Sequence, residues 1–193
     1  MSYRNYRTAS LTPIWVLIAV NFLIFIATLI RPEAVPLLGL QRASLSSQPW
    51  TIISSMFTHG SWLHIIFNML TLYFYGSWVI GLLGEAKFFI VYFVGGLVGN
   101  VLFLLLANPY DIAIGASGAI FALGGALVVL RPKLKVMIMP IPIPIDLWIA
   151  IIIFALLSFQ PGIGWQAHLG GLITGLVAGY FFRRTEHRSS RLF

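Results

Sequence analysis

Residues 11–30, LTPIWVLIAVNFLIFIATLI, decide the fold class, because they contain no charged side chain. A helix needs about 20 apolar residues to cross the hydrocarbon core of a bilayer, so this stretch predicts a transmembrane helix. Its apolar run is longer than that of a signal peptide, and no small-residue cleavage pattern follows it. The whole chain is 59% hydrophobic and 9% charged, against about 45–50% and about 25% in soluble proteins. The composition excludes a soluble enzyme or a DNA-binding domain and predicts an integral membrane protein.

Five further apolar stretches follow, and with the first they predict six transmembrane helices in a single domain, residues 1–193. The fold class is therefore an all-α polytopic membrane protein, a bundle of six helices. A long outer connection, residues 31 to about 56, separates the first two helices. The fifth stretch contains Pro140-Ile-Pro-Ile-Pro144, which cannot form regular helix because alternate residues lack an amide donor. That helix is either broken or begins near Ile145. The five stretches are about 62–83, 88–107, 115–130, a span between 136 and 159, and 165–182.

The positive charges indicate the orientation. In membrane proteins Lys and Arg concentrate in the cytoplasmic loops, and only Arg31 and Arg42 fall on the other predicted side. Both termini are therefore predicted to be cytoplasmic in a multi-pass protein of the cell membrane. The net charge of +7 is explained by this rule, so the lipid bilayer is a predicted partner and nucleic acid is not. The cytoplasmic set is Arg4, Arg7, Lys87, Arg131, Lys133, Lys135, Arg183, Arg184, Arg188 and Arg191.

Four polar residues lie inside predicted spans, where polar side chains are costly and each requires an explanation. His64 and Asn68 lie near the start of the second helix, Ser117 near the start of the fourth and His168 near the start of the sixth. These even-numbered helices all begin at the outer face. At 1.5 Å per residue, the four side chains lie at one depth in the outer part of the membrane.

The spacing of small residues predicts that the fourth and sixth helices pack closely. Small residues four apart let membrane helices approach each other. The simplest inference is that such packing brings the Ser117 hydroxyl within reach of the His168 imidazole. The residues sharing faces are His168, Gly171, Gly175 and Gly179 on the sixth helix, and Ser117 and Gly124, flanked by Gly118 and Gly125, on the fourth.

A serine beside a histidine can perform nucleophilic catalysis, because the imidazole accepts the hydroxyl proton. Asn68, His64 and the backbone N–H of Ser117 are candidate donors to an oxyanion. The acidic residues all lie in loops, at the cytoplasmic side or in the tail, so a Ser–His dyad is predicted. Phe121, one turn after Ser117, is a candidate for holding the imidazole by ring packing. The chain contains no cysteine, which excludes disulfides, thiolate metal sites and a cysteine nucleophile.

Taken singly, each feature has a plainer explanation. A serine in a membrane helix commonly bonds the carbonyl one turn back, a histidine at a helix end is commonly an interfacial residue, and glycine stripes serve packing alone. The coincidence of a serine, a histidine, a His/Asn pair and close-packing stripes at one depth favours a catalytic site.

Three motifs in this order resemble those of the rhomboid family of intramembrane serine proteases. They are His59-Gly-Ser-Trp-Leu-His64-Ile-Ile-Phe-Asn68, Gly115-Ala-Ser117-Gly118, and Ala167-His168-Leu-Gly-Gly171-Leu-Ile-Thr-Gly175. The resemblance covers about residues 11–182 and implies a rhomboid-like six-helix bundle. Many relatives carry a tyrosine at the position of Phe121, and a Trp-Arg pair where this chain reads Trp50-Thr51.

The resemblance also implies a role for each matching residue. Ser117 is the nucleophile and His168 the general base, while His64 and Asn68 contribute to the oxyanion hole. Gly115 allows the tight turn before the fourth helix, and His59 supports the outer loop. The expected substrates are transmembrane proteins, cleaved near the outer end of a helix that passes a mobile fifth helix. No metal and no other cofactor are expected.

Two other functions remain open from the sequence. A non-catalytic rhomboid-like membrane chaperone or dislocation factor has the same fold, but such proteins lose the serine or the histidine, which this chain keeps. A metal protein or transporter would use His59, His64 and His168. Five-residue spacing puts the first two on different helix faces, and no carboxylate is nearby in sequence.

Overall fold

The computed structural model describes residues 10–138 and 141–189, and it is mostly helical. Within these residues, six helices of more than ten residues form the bundle, and a two-stranded hairpin lies between the fourth and the fifth. The predicted basic residues Arg4, Arg7 and Arg191, and Pro140, lie outside the described residues, as does the side chain of Arg188. The helices are α1 (Thr12–Ile30), α2 (Trp62–Leu83), α3 (Glu85–Leu106), α4 (Ser117–Leu130), α5 (Leu147–Leu157) and α6 (Trp165–Ser189).

Local signals explain where the second and third helices begin and end. Ser61 caps α2, because its Oγ accepts a hydrogen bond from the His64 N–H at 3.2 Å, which satisfies one of the free donors of the first turn. Gly84 separates α2 from α3 with φ +84°, a left-handed conformation that costs glycine little. A tight corner therefore reverses the chain between two long helices.

Three of the described helices are long and apolar enough to cross a membrane: α1, α2 and α3. The helices α4 and α5 are apolar but shorter, with 14 and 11 residues. The bundle is thus that of a membrane protein, as the composition predicted.

The short helix α4 forms the centre of the bundle. Its ten residues Gly118 to Leu127 are all buried, since α2, α3 and α6 pack around it. A helix surrounded by protein on all sides is hydrophobic all round, and this one carries no charged residue between Ser117 and Leu130. Ser117, its first residue and half-buried, is thereby held at the end of this buried helix.

The region before α5 corrects the all-α expectation. Strands β1 (Lys135–Ile138) and β2 (Ile141–Asp146) form an antiparallel hairpin, and α5 begins only at Leu147. Prolines at alternate positions keep the backbone extended and cannot donate to a helix. In a two-stranded ribbon the backbone N–H of every second residue points away from the other strand and needs no partner there. Strand β2 therefore tolerates Pro142 and Pro144, which have no N–H.

The long connection after α1 folds against the loop that leads into α4. Leu40 and Ala113 exchange backbone hydrogen bonds of 2.9 and 2.8 Å. The Arg42 guanidinium donates to the Leu104 carbonyl, near the end of α3, at 3.0 Å. The outer connection thus supports the loop before Ser117. Its short helical turns are Pro32–Ala34, Val35–Leu38, Arg42–Ser44, Thr51–Ser54 and Ser55–Phe57.

Candidate active site

Ser117 and His168 meet at the end of the bundle where α4 and α6 begin. The Ser117 Oγ lies 2.6 Å from the His168 Nε2. Ser117 is the first residue of α4, and His168 lies in the first turn of α6, so two distant stretches of sequence place the pair. Both residues are half-buried. The distance is that of a direct hydrogen bond between a hydroxyl and an imidazole nitrogen.

Glycines bring the two helices this close. A Cβ on Gly171 would overlap the Gly118 carbonyl oxygen, and a Cβ on Gly175 would overlap the Ala122 carbonyl oxygen. Only hydrogen atoms at these positions allow the backbones of α4 and α6 to touch. The predicted small-residue contact between the two helices is therefore present.

Phe121 lies against the His168 imidazole. Its ring stacks on the His168 imidazole with centroids 4.6 Å apart and planes 21° apart. The ring is nearly buried within the bundle, so it provides a fixed surface on one side of the imidazole. The contact is the one predicted from the position of Phe121 one turn after Ser117.

A second serine, which was not predicted from the sequence, contacts the His168 imidazole. The Ser158 Oγ lies 2.6 Å from the His168 Nδ1. Ser158 follows the last residue of α5 and is buried. The available signal was a hydroxyl at the outer end of an otherwise apolar helix, ten residues before His168, but local sequence does not reveal where that hydroxyl points.

The polar pair of α2 faces the same space. His64 and Asn68 line a cavity of about 390 Å³ together with Ser117 and His168. The Asn68 Nδ2 donates to the His64 carbonyl at 2.8 Å, and a carboxamide has a second amide hydrogen to offer. The structure therefore gathers all four polar residues predicted to lie at one depth.

Gly115 is required by both its conformation and its surroundings. Its φ of +118° is unfavourable for residues with a side chain. A Cβ would lie 2.7 Å from the His64 Nε2 and 3.7 Å from the Ser117 Oγ. The glycine therefore lets the His64 ring approach the backbone that leads into α4.

Two buried residues that were not singled out from the sequence support this turn. The Gly115 N–H donates to the Ser55 carbonyl at 2.8 Å. The Asn100 side chain, on α3, donates to the Ser55 Oγ at 3.0 Å and to the Ile52 carbonyl at 2.7 Å. Because buried polar groups are costly unless paired, these bonds anchor the outer connection to α3 beneath the turn.

His59 lies behind His64 rather than in the cavity. Its ring is 1% exposed and contacts the His64 ring edge-to-face with centroids 4.9 Å apart. Burial, and to a lesser extent the neighbouring His64, lower the pKa of His59 to about 3. A neutral His59 is thus a packing residue of the outer loop.

Among the side chains that the structure describes, no carboxylate lies within 4 Å of the His168 imidazole nitrogens. The Asp146 carboxylate is 4.0 Å from the Lys135 ammonium on the hairpin, and the Glu33 carboxylate is 4.0 Å from the Arg31 guanidinium. Asp111 is exposed in the loop before α4. Within residues 10–138 and 141–189, no three His, Cys, Asp or Glu side chains are grouped so that they could hold a metal ion.

A second, more apolar cavity of about 230 Å³ reaches the same pair from the side. It lies between α2, which contributes Phe67 and Thr71, and α5, which contributes Ile151 and Phe154. Ser117 and His168 also line it. The site is therefore open both toward the loops before α4 and α6 and laterally between α2 and α5.

Known proteins resemble this chain over most of its length. A family model described as the Rhomboid domain matches residues 46–185. Putative rhomboid protease YdcA of Bacillus subtilis is 30% identical over 145 residues, which are 72% of this chain and 70% of that protein.

Two eukaryotic proteins match at similar identity. RHOMBOID-like protein 4 of Arabidopsis thaliana is 28% identical over 151 residues, 78% of this chain and 38% of that protein. Rhomboid protein 1, mitochondrial, of Saccharomyces cerevisiae is 30% identical over 163 residues, 74% of this chain and 45% of that protein. The chain thus spans less than half the length of these two relatives.

Proposed function

The chain belongs to the rhomboid family, and from that premise we propose that it is an intramembrane serine endopeptidase. The observation that carries the proposal is the 2.6 Å approach of the Ser117 Oγ to the His168 Nε2. A hydroxyl becomes a useful nucleophile when a base stands ready to take its proton. The cavity beside this pair leaves room for a peptide carbonyl.

The proposed reaction uses His168 first as a base and then as an acid. The Ser117 Oγ attacks the carbonyl carbon while its proton moves to the His168 Nε2. The tetrahedral intermediate then collapses, the C–N bond breaks, and the Nε2 proton passes to the leaving amine. Water hydrolyses the acyl-enzyme by the same two steps, giving its proton to the Nε2 and restoring the Ser117 hydroxyl.

The oxyanion of the tetrahedral intermediate needs donors at a fixed position. The Ser117 N–H lies at the start of α4, where the first N–H groups of a helix lack intrahelical partners and the dipole favours negative charge. Asn68, whose carboxamide has a second amide hydrogen, and His64 line the same cavity. These three groups are the proposed oxyanion hole, and Gly115, Gly118 and Gly171 keep the backbones close enough to form it.

The proposed substrate is a transmembrane helix that reaches the pair through the lateral opening between α2 and α5. The apolar side chains lining that opening suit a segment arriving from lipid. A helix must unwind there to present a carbonyl, since its backbone groups are otherwise paired. Segments with helix-breaking residues near their outer end are therefore the expected substrates.

We also propose six membrane spans, with both termini at the cytoplasmic side of the cell membrane. Lys87 lies over the Phe182 ring at 5.1 Å, and the Arg183 guanidinium donates to the Val129 carbonyl at 3.2 Å. These contacts gather basic residues from α3 and α6 at the end of the bundle opposite Ser117. One positive end is what the loop-charge rule requires of the cytoplasmic face.

The test is covalent labelling of the purified protein in lipid with a fluorophosphonate, followed by mapping of the modified residue. We expect modification at Ser117, and cleavage of a transmembrane model substrate that both Ser117→Ala and His168→Ala abolish, because nucleophile and base act as a unit. Ser77→Ala, which removes the hydroxyl of another helical serine that lines neither cavity, is the control. A folded protein that neither labels nor cleaves would instead favour the membrane chaperone.

A further inference from the structure

The Ser158 hydroxyl lies between a backbone carbonyl and the candidate base. Its Oγ is 2.7 Å from the Phe154 carbonyl oxygen, one turn back in α5, and 2.6 Å from the His168 Nδ1. Ser158 is 3% exposed. Two hydrogen bonds therefore connect three side chains in series, from Ser158 through the His168 imidazole to Ser117.

The single proton of the Ser158 hydroxyl determines which groups donate and which accept in these hydrogen bonds. Because the Ser158 O–H donates to the Phe154 carbonyl, which has no proton to offer, the Oγ is left as an acceptor toward the imidazole. The proton of the neutral imidazole then resides on Nδ1. The Nε2 is consequently bare and faces the Ser117 hydroxyl, which is the tautomer that a general base needs.

We propose that Ser158 is a positioning residue that holds His168 in the tautomer and orientation required for catalysis, in place of a carboxylate. The proposal rests on the proposed serine endopeptidase function. When the Nε2 takes the Ser117 proton, the imidazole becomes positively charged and its Nδ1–H continues to donate to the Ser158 Oγ. When the Nε2 proton passes to the leaving amine, the neutral Nδ1–H tautomer is restored without any proton leaving Ser158.

The bond also links the base to α5. Ser158 directly follows Leu157, the last residue of this helix, and α5 lines the lateral opening. The Phe121 ring restrains the plane of the imidazole but has no acceptor for the Nδ1–H. Displacement of α5 therefore removes the acceptor, and the base is competent only when α5 is in place.

The first test compares cleavage kinetics of Ser158→Ala and Ser158→Thr with the unmodified protein. Loss of one neutral hydrogen bond acts through His168, so we expect kcat to fall about 10- to 100-fold in Ser158→Ala, less than the ~10⁴-fold of a lost triad carboxylate. KM should change less than kcat, within about threefold, since the Ser158 Oγ is engaged by the Phe154 carbonyl and the His168 Nδ1. Ser158→Thr keeps the hydroxyl and should recover most of kcat.

Ser77→Ala is the matched control, because the Ser77 Oγ also donates to the carbonyl one turn back, while its bond involves no histidine. It should leave kcat unchanged. Wild-type kcat in a folded Ser158→Ala protein that still labels at Ser117 would overturn the Ser158 proposal while leaving the proposed function intact. Absence of Ser117-dependent cleavage in the unmodified protein would overturn the function instead.

The second test reads the tautomer directly and needs no activity. In ¹⁵N-histidine-labelled protein in lipid, the His168 signal is identified by its loss in His168→Ala. We expect a protonated Nδ1 and a bare Nε2 in the unmodified protein, and a mixture of tautomers in Ser158→Ala. A protonated Nε2 in the unmodified protein, or an unchanged tautomer in Ser158→Ala, would refute the proposal even where kcat falls.

Discussion

At the scale of single residues, Asn68 donates one of its two amide hydrogens to the His64 carbonyl and lines the cavity beside Ser117. We predict that Asn68→Ala lowers kcat by about 10²–10³, the usual loss for one oxyanion donor. His64→Ala should act in the same direction. Initial rates on the model substrate, with fluorophosphonate labelling to count active protein, measure the effect. Unchanged kcat in both variants would make the polar pair of α2 purely structural.

The ring of Phe121 gives a second prediction at this scale. Its stacking on the imidazole, at 4.6 Å between centroids, is worth about 0.5–1.5 kcal/mol for an aromatic pair. Phe121→Leu should therefore lower kcat by roughly 2- to 12-fold, at about 1.36 kcal/mol per factor of ten. Phe121→Tyr keeps the ring and should stay within about twofold of the unmodified enzyme. Equal kcat values for the Phe121→Leu and Phe121→Tyr variants would contradict a role for the aromatic ring in orienting His168.

At the scale of helices, the contact between α4 and α6 depends on the absence of side chains. A Cβ on Gly171 would overlap the Gly118 carbonyl, which is backbone and cannot rotate away. Gly171→Ala should therefore destabilise the protein by about 1–3 kcal/mol through overpacking, and should reduce activity by separating Ser117 from His168.

The matched control for this prediction is Gly81→Ala. Gly81 lies in α2, and the methyl group of an alanine there would enter open space, with no neighbouring atom within 4 Å. Alanine is also the better helix former. Thermal unfolding in detergent, followed by tryptophan fluorescence, should show a lower midpoint for Gly171→Ala and an equal or higher one for Gly81→Ala. The same midpoint shift in both would mean that the close contact is not specific.

The helix α5, in contrast to α4, has few buried residues. It is 11 residues long, only Leu147, Ala150 and Ile151 are buried, and it follows a hairpin rather than a membrane-spanning segment. Few buried contacts make an element easy to displace. We predict that fixing it to α2 prevents substrate from reaching Ser117.

A cleavable bifunctional thiol reagent tests this, since the chain has no cysteine of its own. Phe67→Cys on α2 and Phe154→Cys on α5 both line the lateral opening. Treatment of the double variant should abolish cleavage of a transmembrane substrate, and reductant should restore it. Each single variant, treated alike, controls for the reagent itself. Full activity in a protein shown to be cross-linked would rule out α5 as the gate.

At the scale of the whole molecule, the two ends of the bundle differ in charge and in polarity. Lys87 and Arg183 contact neighbouring helices at one end, while Ser117 and His168 lie at the other. We predict that the basic end faces the cytoplasm. Single cysteines at exposed positions in intact cells, labelled with an impermeant maleimide, measure this.

Ser46, Asn108 and Gln160 should label from outside once replaced by cysteine, whereas Ala86 and Lys133 should label only after the membrane is opened. These positions are all exposed in the structure and lie in different loops or helix ends. Outside labelling at Ala86→Cys or Lys133→Cys would reverse the orientation. Protection of Asn108→Cys or Gln160→Cys would contradict the count of six spans.

The helices themselves were predictable because their signals are local. The predicted second helix, about 62–83, is the observed Trp62–Leu83, since an apolar run bounded by Ser61 and Gly84 specifies both ends. The third was expected from about 88, yet it begins at Glu85. A glutamate in the first turn is stabilised by the dipole at a helix N-terminus. A prediction from the apolar run alone leaves this charged residue out of the helix.

The amino-acid sequence by itself determined the membrane class, the helices, the glycine faces and the approach of Ser117 to His168. The apolar runs, the prolines and the spacing of small residues are local signals, each contained in one segment of the chain. Two helices with glycine faces have few ways of packing closely, so their contact was predictable as well. Only the tertiary structure decided the hairpin before α5, the Ser55–Asn100 support and the partner of the His168 Nδ1. Such contacts depend on how packing between distant elements directs one hydroxyl or amide, as it directs Ser158, at the end of α5, toward the imidazole on α6, and no local sequence pattern specifies that direction.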